Sequence, residues 1–100
     1  MMTPQIDIDR TQLKKLCRKY GVRRLALFGS VIRDDFGEDS DVDILVEFQP
    51  DATVGLSFFS LQKELSRLIG RQVDLSTPGF LSPQIRDKVA SEARPVYEAA

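Results

Sequence analysis

The 100-residue chain has no histidine, no tryptophan and a single cysteine, Cys17. Without histidine, Ser-His-Asp and Cys-His catalysis are excluded, and one cysteine is too few for a protein zinc site. The lone thiol also excludes an internal disulfide and fits a reducing compartment. Acid–base chemistry is left to carboxylates, lysine, tyrosine and water. No apolar run approaches the ~20 residues that a membrane-spanning helix needs, so no membrane contact is expected. The opening "MMTPQIDIDR" lacks the basic start and apolar core of a signal peptide, which makes a cytoplasmic protein the expectation. The net charge is only −1, too little to attract nucleic acid as a whole, and no direct nucleic-acid contact is expected.

What remains is an ordinary globular composition, 42% hydrophobic and 29% charged. That suits one compact domain over residues 1–100. The charges are not evenly spread. Lys14, Lys15, Arg18, Lys19, Arg23 and Arg24 cluster without an acid among them. Asp34, Asp35, Glu38, Asp39, Asp41, Asp43, Glu47 and Asp51 follow without a base. A solvated helix face accounts for the basic group; a surface for an acidic partner or a polyphosphate tail is the alternative. The acidic group is harder to dismiss, because part of it enters an apolar strand.

The local signals place these groups on elements. Asp9 as N-cap, with Gln12 three residues on and Ile8 and Leu13 as a staple, predicts a helix ending at Gly21. Leu13, Leu16, Cys17 and Tyr20 recur at helical spacing, so Cys17 is expected in the core. "VRRLALF" (22–28) and "VDILVEF" (42–48) read as strands, with a short helical turn from Val31 to Asp35 between them. A helix is expected from Leu56 to Ile69, closed by Gly70, then a short strand "QVDLST". Ser82 and Pro83 open a last helix with Ile85, Val89 and Ala93 turned inward. The order is α-β-(short α)-β-α-β-α, helices and sheet around one core.

Side chains at i and i+2 of a strand share a face, so Asp41 and Asp43 project together while Val42 and Ile44 point into the core. Paired carboxylates repel, and desolvation increases the strain; a divalent cation between them removes it. Asp74, an acid in the apolar strand "VDL", joins them if its strand lies beside the second. An all-oxygen ligand set suits Mg²⁺ or Mn²⁺. Gly29-Ser30, at the end of the first strand, supplies free backbone N–H groups and a hydroxyl for a phosphate, and Arg33 lies one turn on. Together they form a candidate site for a nucleoside triphosphate with Mg²⁺. A Walker A loop lacks its Gly-Lys-Ser/Thr ending here, and a dinucleotide fingerprint lacks its glycines. An EF-hand starting at Asp39 would require Gly at position 44 and Glu at position 50, where Ile44 and Pro50 stand. An acidic surface turn leading into an edge strand remains the alternative.

"LFGSVIR…DSDVDILVEF" followed by "VDLST" resembles the minimal nucleotidyltransferase domains of the DNA polymerase β-like superfamily. Gly-Ser, a spaced Arg, Asp-x-Asp on a strand and a later carboxylate make up the shared pattern. The resemblance spans nearly the whole chain, including "LQKELSRLIGRQVDL" and "LSPQIRDKVASEARPVYE". It departs at Ile32 and Asp34, where many members have a small residue and Gly.

The resemblance implies an α+β fold with α/β-type layers, in which a small mixed β-sheet packs with helices. It implies that Gly29 and Ser30 hold the β- and γ-phosphates of ATP, with Arg33 near them. It implies that Asp41 and Asp43 hold metal, and that Asp74 completes a second metal site and orients or deprotonates the attacking hydroxyl. Two Mg²⁺ ions, with Mn²⁺ as the substitute, are the implied cofactors. Small members stand beside a HEPN-domain protein as antitoxin and toxin. The resemblance therefore implies AMP transfer onto a tyrosine of that partner, within a hetero-oligomer. Two alternatives stay open: a small-molecule nucleotidyltransferase, disfavoured by the lack of a substrate domain, and a non-catalytic module that neutralises its partner by contact, disfavoured by the three aspartates.

Overall fold

A computed structural model describes residues 8–29, 37, 40–52 and 55–99. Helix α1 (Arg10–Tyr20) starts where Asp9 accepts the Gln12 N–H and ends at Gly21, whose φ of 68° lets its N–H turn back to Arg18 and Cys17. Such an N-cap contributes about 1 kcal/mol. Ile8 and Leu13 are both buried beneath it, as the staple requires. Strand β1 (Val22–Phe28) and strand β2 (Val42–Phe48) follow. Helix α2 (Ser57–Ile69) begins one residue later than expected, with Leu56 as an exposed N-cap, and closes at Gly70. Strand β3 (Val73–Ser76) leads through a 3₁₀ turn (Pro78–Phe80) to helix α3 (Pro83–Glu92), capped by Ser82. The short helix expected at Val31–Asp35 lies outside the described residues.

The tail departs from the expected order. Residues Arg94–Glu98 form a fourth strand, β4, paired antiparallel with β1. The helical spacing of Ile85, Val89 and Ala93 concealed it. Only Val89 of the three is buried; Ile85 is 53% exposed, and Ala93 is the extended C-cap of α3. Pro95 biases Arg94 toward extended backbone. A proline inside a run argues against a central strand, but an edge position tolerates its missing N–H.

The sheet order is β3-β2-β1-β4, with β2 and β3 parallel and the other pairs antiparallel. Leu25, Leu27, Val42, Ile44, Val46, Val73 and Leu75 form one buried cluster with Leu13, Leu16 and Cys17 of α1 and Phe58, Leu61 and Leu65 of α2. Burial pushes the Cys17 thiol up to about 12, as a core residue would show. Tyr20 at the end of α1 donates a hydrogen bond to Glu64 of α2, which Lys19 also approaches at 3.4 Å. That bond raises the tyrosine pKa and lowers the glutamate pKa. Half of the basic cluster is neutralised within the fold. Arg23 (2.6 Å) and Arg24 (3.2 Å) both meet Glu47 across the β1–β2 pair.

Candidate active site

Asp43 and Asp74 alternate with Val42, Ile44, Val73 and Leu75, all buried under the helices. Their side chains therefore leave the opposite face of the sheet. The parallel register sets Asp43 directly beside Asp74, with Phe28 of β1 on the other side of Asp43. Asp41 lies just before β2 and is exposed; Asp43 is half-buried and Asp74 exposed. The strand bearing Asp74 thus adjoins the strand bearing Asp43, the juxtaposition that the spacing alone left conditional. Among the described residues, no three acidic side chains are gathered into a ready-made metal cluster.

Gly29 stands against the same carboxylate. Its φ is +74°, and a Cβ there would collide with Asp43 Oδ2 and lie 3.1 Å from Asp43 Cγ. Only glycine fits this backbone and this approach. The end of β1 is thereby held close to Asp43, where the Gly-Ser motif predicts a phosphate. Ser30 and Arg33, expected in the same cradle, lie outside the described residues. The donor set fits a divalent cation: hard carboxylate oxygens in register, beside a backbone turn without a side chain. Mg²⁺ is commonly held by one or two carboxylates together with substrate phosphates and water, rather than by an all-protein cage.

Three side chains outside the expected set support the site. Ser66 Oγ accepts the Val73 N–H at 3.0 Å and donates to Gln62 O at 2.9 Å. Gln62 Oε1 accepts the Leu75 N–H at 3.0 Å. In a parallel pair alternate amides point away from the neighbour, so α2 completes the outer edge of β3 with side-chain oxygens. Arg71 donates to Gly37 O (2.6 Å) and Ser40 O (2.8 Å), joining the segment before Asp41 to the segment before β3. Their signal was faint in the sequence: two polar residues at i and i+4 beside Leu61 and Leu65, and an arginine three residues before Asp74.

Similarity to known proteins covers the same stretch. A family model described as "Nucleotidyltransferase domain" matches residues 4–96. Protein adenylyltransferase MntA of Thermococcus cleftensis is 40% identical over 79 residues, 79% of each chain. A Methanocaldococcus jannaschii protein with a provisional protein-adenylyltransferase name is 43% identical over 89 residues, 86% of this chain and 88% of its own. Among solved structures, one described provisionally as a minimal nucleotidyltransferase superposes with a TM-score of 0.73 at 38% identity, covering 87% and 88% of the two chains. A toxin–antitoxin structure with AMP-PNP superposes at 0.71 over 92% and 75%. A tri-AMPylated Shewanella oneidensis HEPN toxin in complex with MNT antitoxin gives 0.63 over 90% and 70%. Both are 21% identical and bear on the fold alone. With its mixed sheet, its in-register aspartates and these relatives, the chain belongs to the nucleotidyltransferase domain family, as a minimal nucleotidyltransferase.

Proposed function

We propose that this chain transfers AMP from ATP to a tyrosine of a HEPN-domain toxin and so acts as its antitoxin, in the cytoplasm. The observation that carries the reading is the register of Asp43 beside Asp74, with Gly29 packed on Asp43. The relatives agree with it: one 40% identical is named a protein adenylyltransferase, and one fold neighbour is an antitoxin beside an AMPylated HEPN toxin.

In this reading Gly29 and Ser30 present backbone N–H groups and a hydroxyl to the β- and γ-phosphates, with Arg33 beside them. Asp41, Asp43 and Asp74 are the residues that would hold divalent metal, two Mg²⁺ in the two-ion arrangement. What such ions supply is neutralisation of the triphosphate and of the leaving pyrophosphate. Asp74, on β3, orients or deprotonates the acceptor hydroxyl. The acceptor oxygen forms its bond to the α-phosphorus as the bond to pyrophosphate breaks. Alignment and charge stabilisation supply most of the rate. The two aspartates lie on the face away from the α1–α2 core, where an incoming protein side chain has access.

Co-expression with the HEPN partner tests the proposal directly. Intact-mass spectrometry should find AMP on a partner tyrosine with the wild-type chain and none with Asp43→Asn, whose circular dichroism should match the wild type. An unmodified partner beside wild type, or transfer that survives Asp43→Asn, overturns the assignment.

A further inference from the structure

We infer that Arg71 is a positioning residue for the metal–nucleotide site: its guanidinium clamps the two backbone segments that carry the carboxylates. The inference rests on the proposed metal–nucleotide reading and adds a residue that the Gly-Ser and Asp-x-Asp pattern does not contain.

The two halves of the site come from separate parts of the chain. Asp41 and Asp43 arrive with the connection into β2, and Asp74 arrives with β3. Backbone pairing joins the strands from Val42 and Val73 onward. Ahead of that point the ladder contributes one more bond, from Val42 N–H to Gln72 O at 2.8 Å. Asp41 sits at this margin, where strand pairing no longer determines its place.

Arg71 acts there. One of its nitrogens donates both to Gly37 O at 2.6 Å and to Ser40 O at 2.8 Å. Ser40 is the residue before Asp41. Gly37 and Ser40 are bonded to each other, by Ser40 N–H to Gly37 O (3.1 Å) and Gly37 N–H to Ser40 Oγ (3.0 Å). The two acceptors are therefore tied to each other, and Arg71 binds both. The post itself is firm. Gly70 ends α2 just before Arg71, and β3 just after it is fixed by β2 on one side and by Ser66 and Gln62 on the other. A guanidinium suits this task because the two N–H groups of that nitrogen are fixed in its plane, whereas an ammonium is a point donor on a flexible stem.

The consequence is that Arg71 sets where Asp41 stands relative to Asp43 and Asp74 without touching substrate. Residues that support metal ligands in this way typically cost about 10- to 100-fold in metal affinity when removed.

The test is binding of Mn²⁺ with α,β-methylene-ATP to the full chain, followed by calorimetry and by the Mn²⁺ electron paramagnetic resonance signal. Arg71→Met should keep the ligand-free melting temperature near wild type and weaken binding about 10-fold or more. Arg71→Lys, which keeps the charge and loses the planar donors, should fall between the two. In the transfer assay the metal concentration for half-maximal rate should rise while KM for the acceptor protein stays put. Wild-type affinity in folded Arg71→Met overturns the inference. Should Arg71→Met fail to fold, wild-type affinity in Arg71→Lys overturns it equally. Absence of binding by the wild-type chain would instead remove the nucleotide–metal reading itself, and the clamp's role with it.

Discussion

The two edges of the sheet are protected in different ways. Strand β3 is short and carries Asp74, and its outward amides at Val73 and Leu75 are accepted by Ser66 and Gln62 of α2. Strand β4, among the described residues, has no helix side chain bonded to its edge; it relies on Pro95, on the charges of Arg94 and Glu98, and on an irregular register between Leu25 and Ala26. Bulges, proline and charge are general ways of blunting a strand edge. They prevent unwanted pairing but do not determine where a side chain stands. Hydrogen bonds from a packed helix do both. The edge that bears Asp74 has the defined partners, and the edge opposite has the generic ones.

Breaking the covered edge should give the largest effect. Gln62→Ala or Ser66→Ala leaves a strand amide without its acceptor, at a cost of about 1–3 kcal/mol each. The drop should appear as a lower urea midpoint, with faster hydrogen exchange at Leu75 or Val73 and slower AMP transfer. An unchanged exchange rate at those amides would show that α2 does not hold the edge.

The tie between the helices should respond to pH with a smaller effect. Glu64 has its pKa lowered chiefly by the Tyr20 hydrogen bond, so its contribution is present above the ordinary carboxylate range and is lost as pH falls through the lowered value. Tyr20 has its pKa raised chiefly by the same bond. Its contribution is present below the ordinary tyrosine range and is lost as pH rises through the raised value. Tyr20→Phe should flatten the melting-temperature profile at both ends; a profile that keeps its wild-type shape would contradict the coupling.

The smallest effect on stability is expected at the other edge. Pro95→Thr restores one strand N–H, so the urea midpoint should move little, whereas sedimentation should reveal increased self-association. If the variant stays as monodisperse as wild type, proline is not what guards β4.

Much of this was legible along the chain because it depends on near neighbours. Asp9, Gly21, Gly70 and Ser82 mark helix ends through bonds that span only a few residues, and each serves as the cap its type suggests. Strands β1 and β2 occupy the expected ranges because their apolar runs match a half-buried pleat. Strand β4 was not legible. Pro95 and the helical spacing of Ile85 and Val89 both argued against it, and only the free edge of β1 makes Arg94–Glu98 a strand. Arg71, Ser66 and Gln62 left only a faint signal, since their acceptors and donors lie at positions that nothing local identifies.

The aspartates show where the division falls. Alternation with buried Val42, Ile44, Val73 and Leu75 assigns Asp43 and Asp74 each to the face away from the core, a matter of strand period readable within a few residues. That the two faces are one face, with Asp43 beside Asp74 and Gly29 against Asp43, depends on β3 pairing parallel with β2 and on the sheet order β3-β2-β1-β4. Side-chain alternation is a local property of the backbone, whereas strand adjacency is chosen by how α1 and α2 cover a common core, and only the assembled chain has that core.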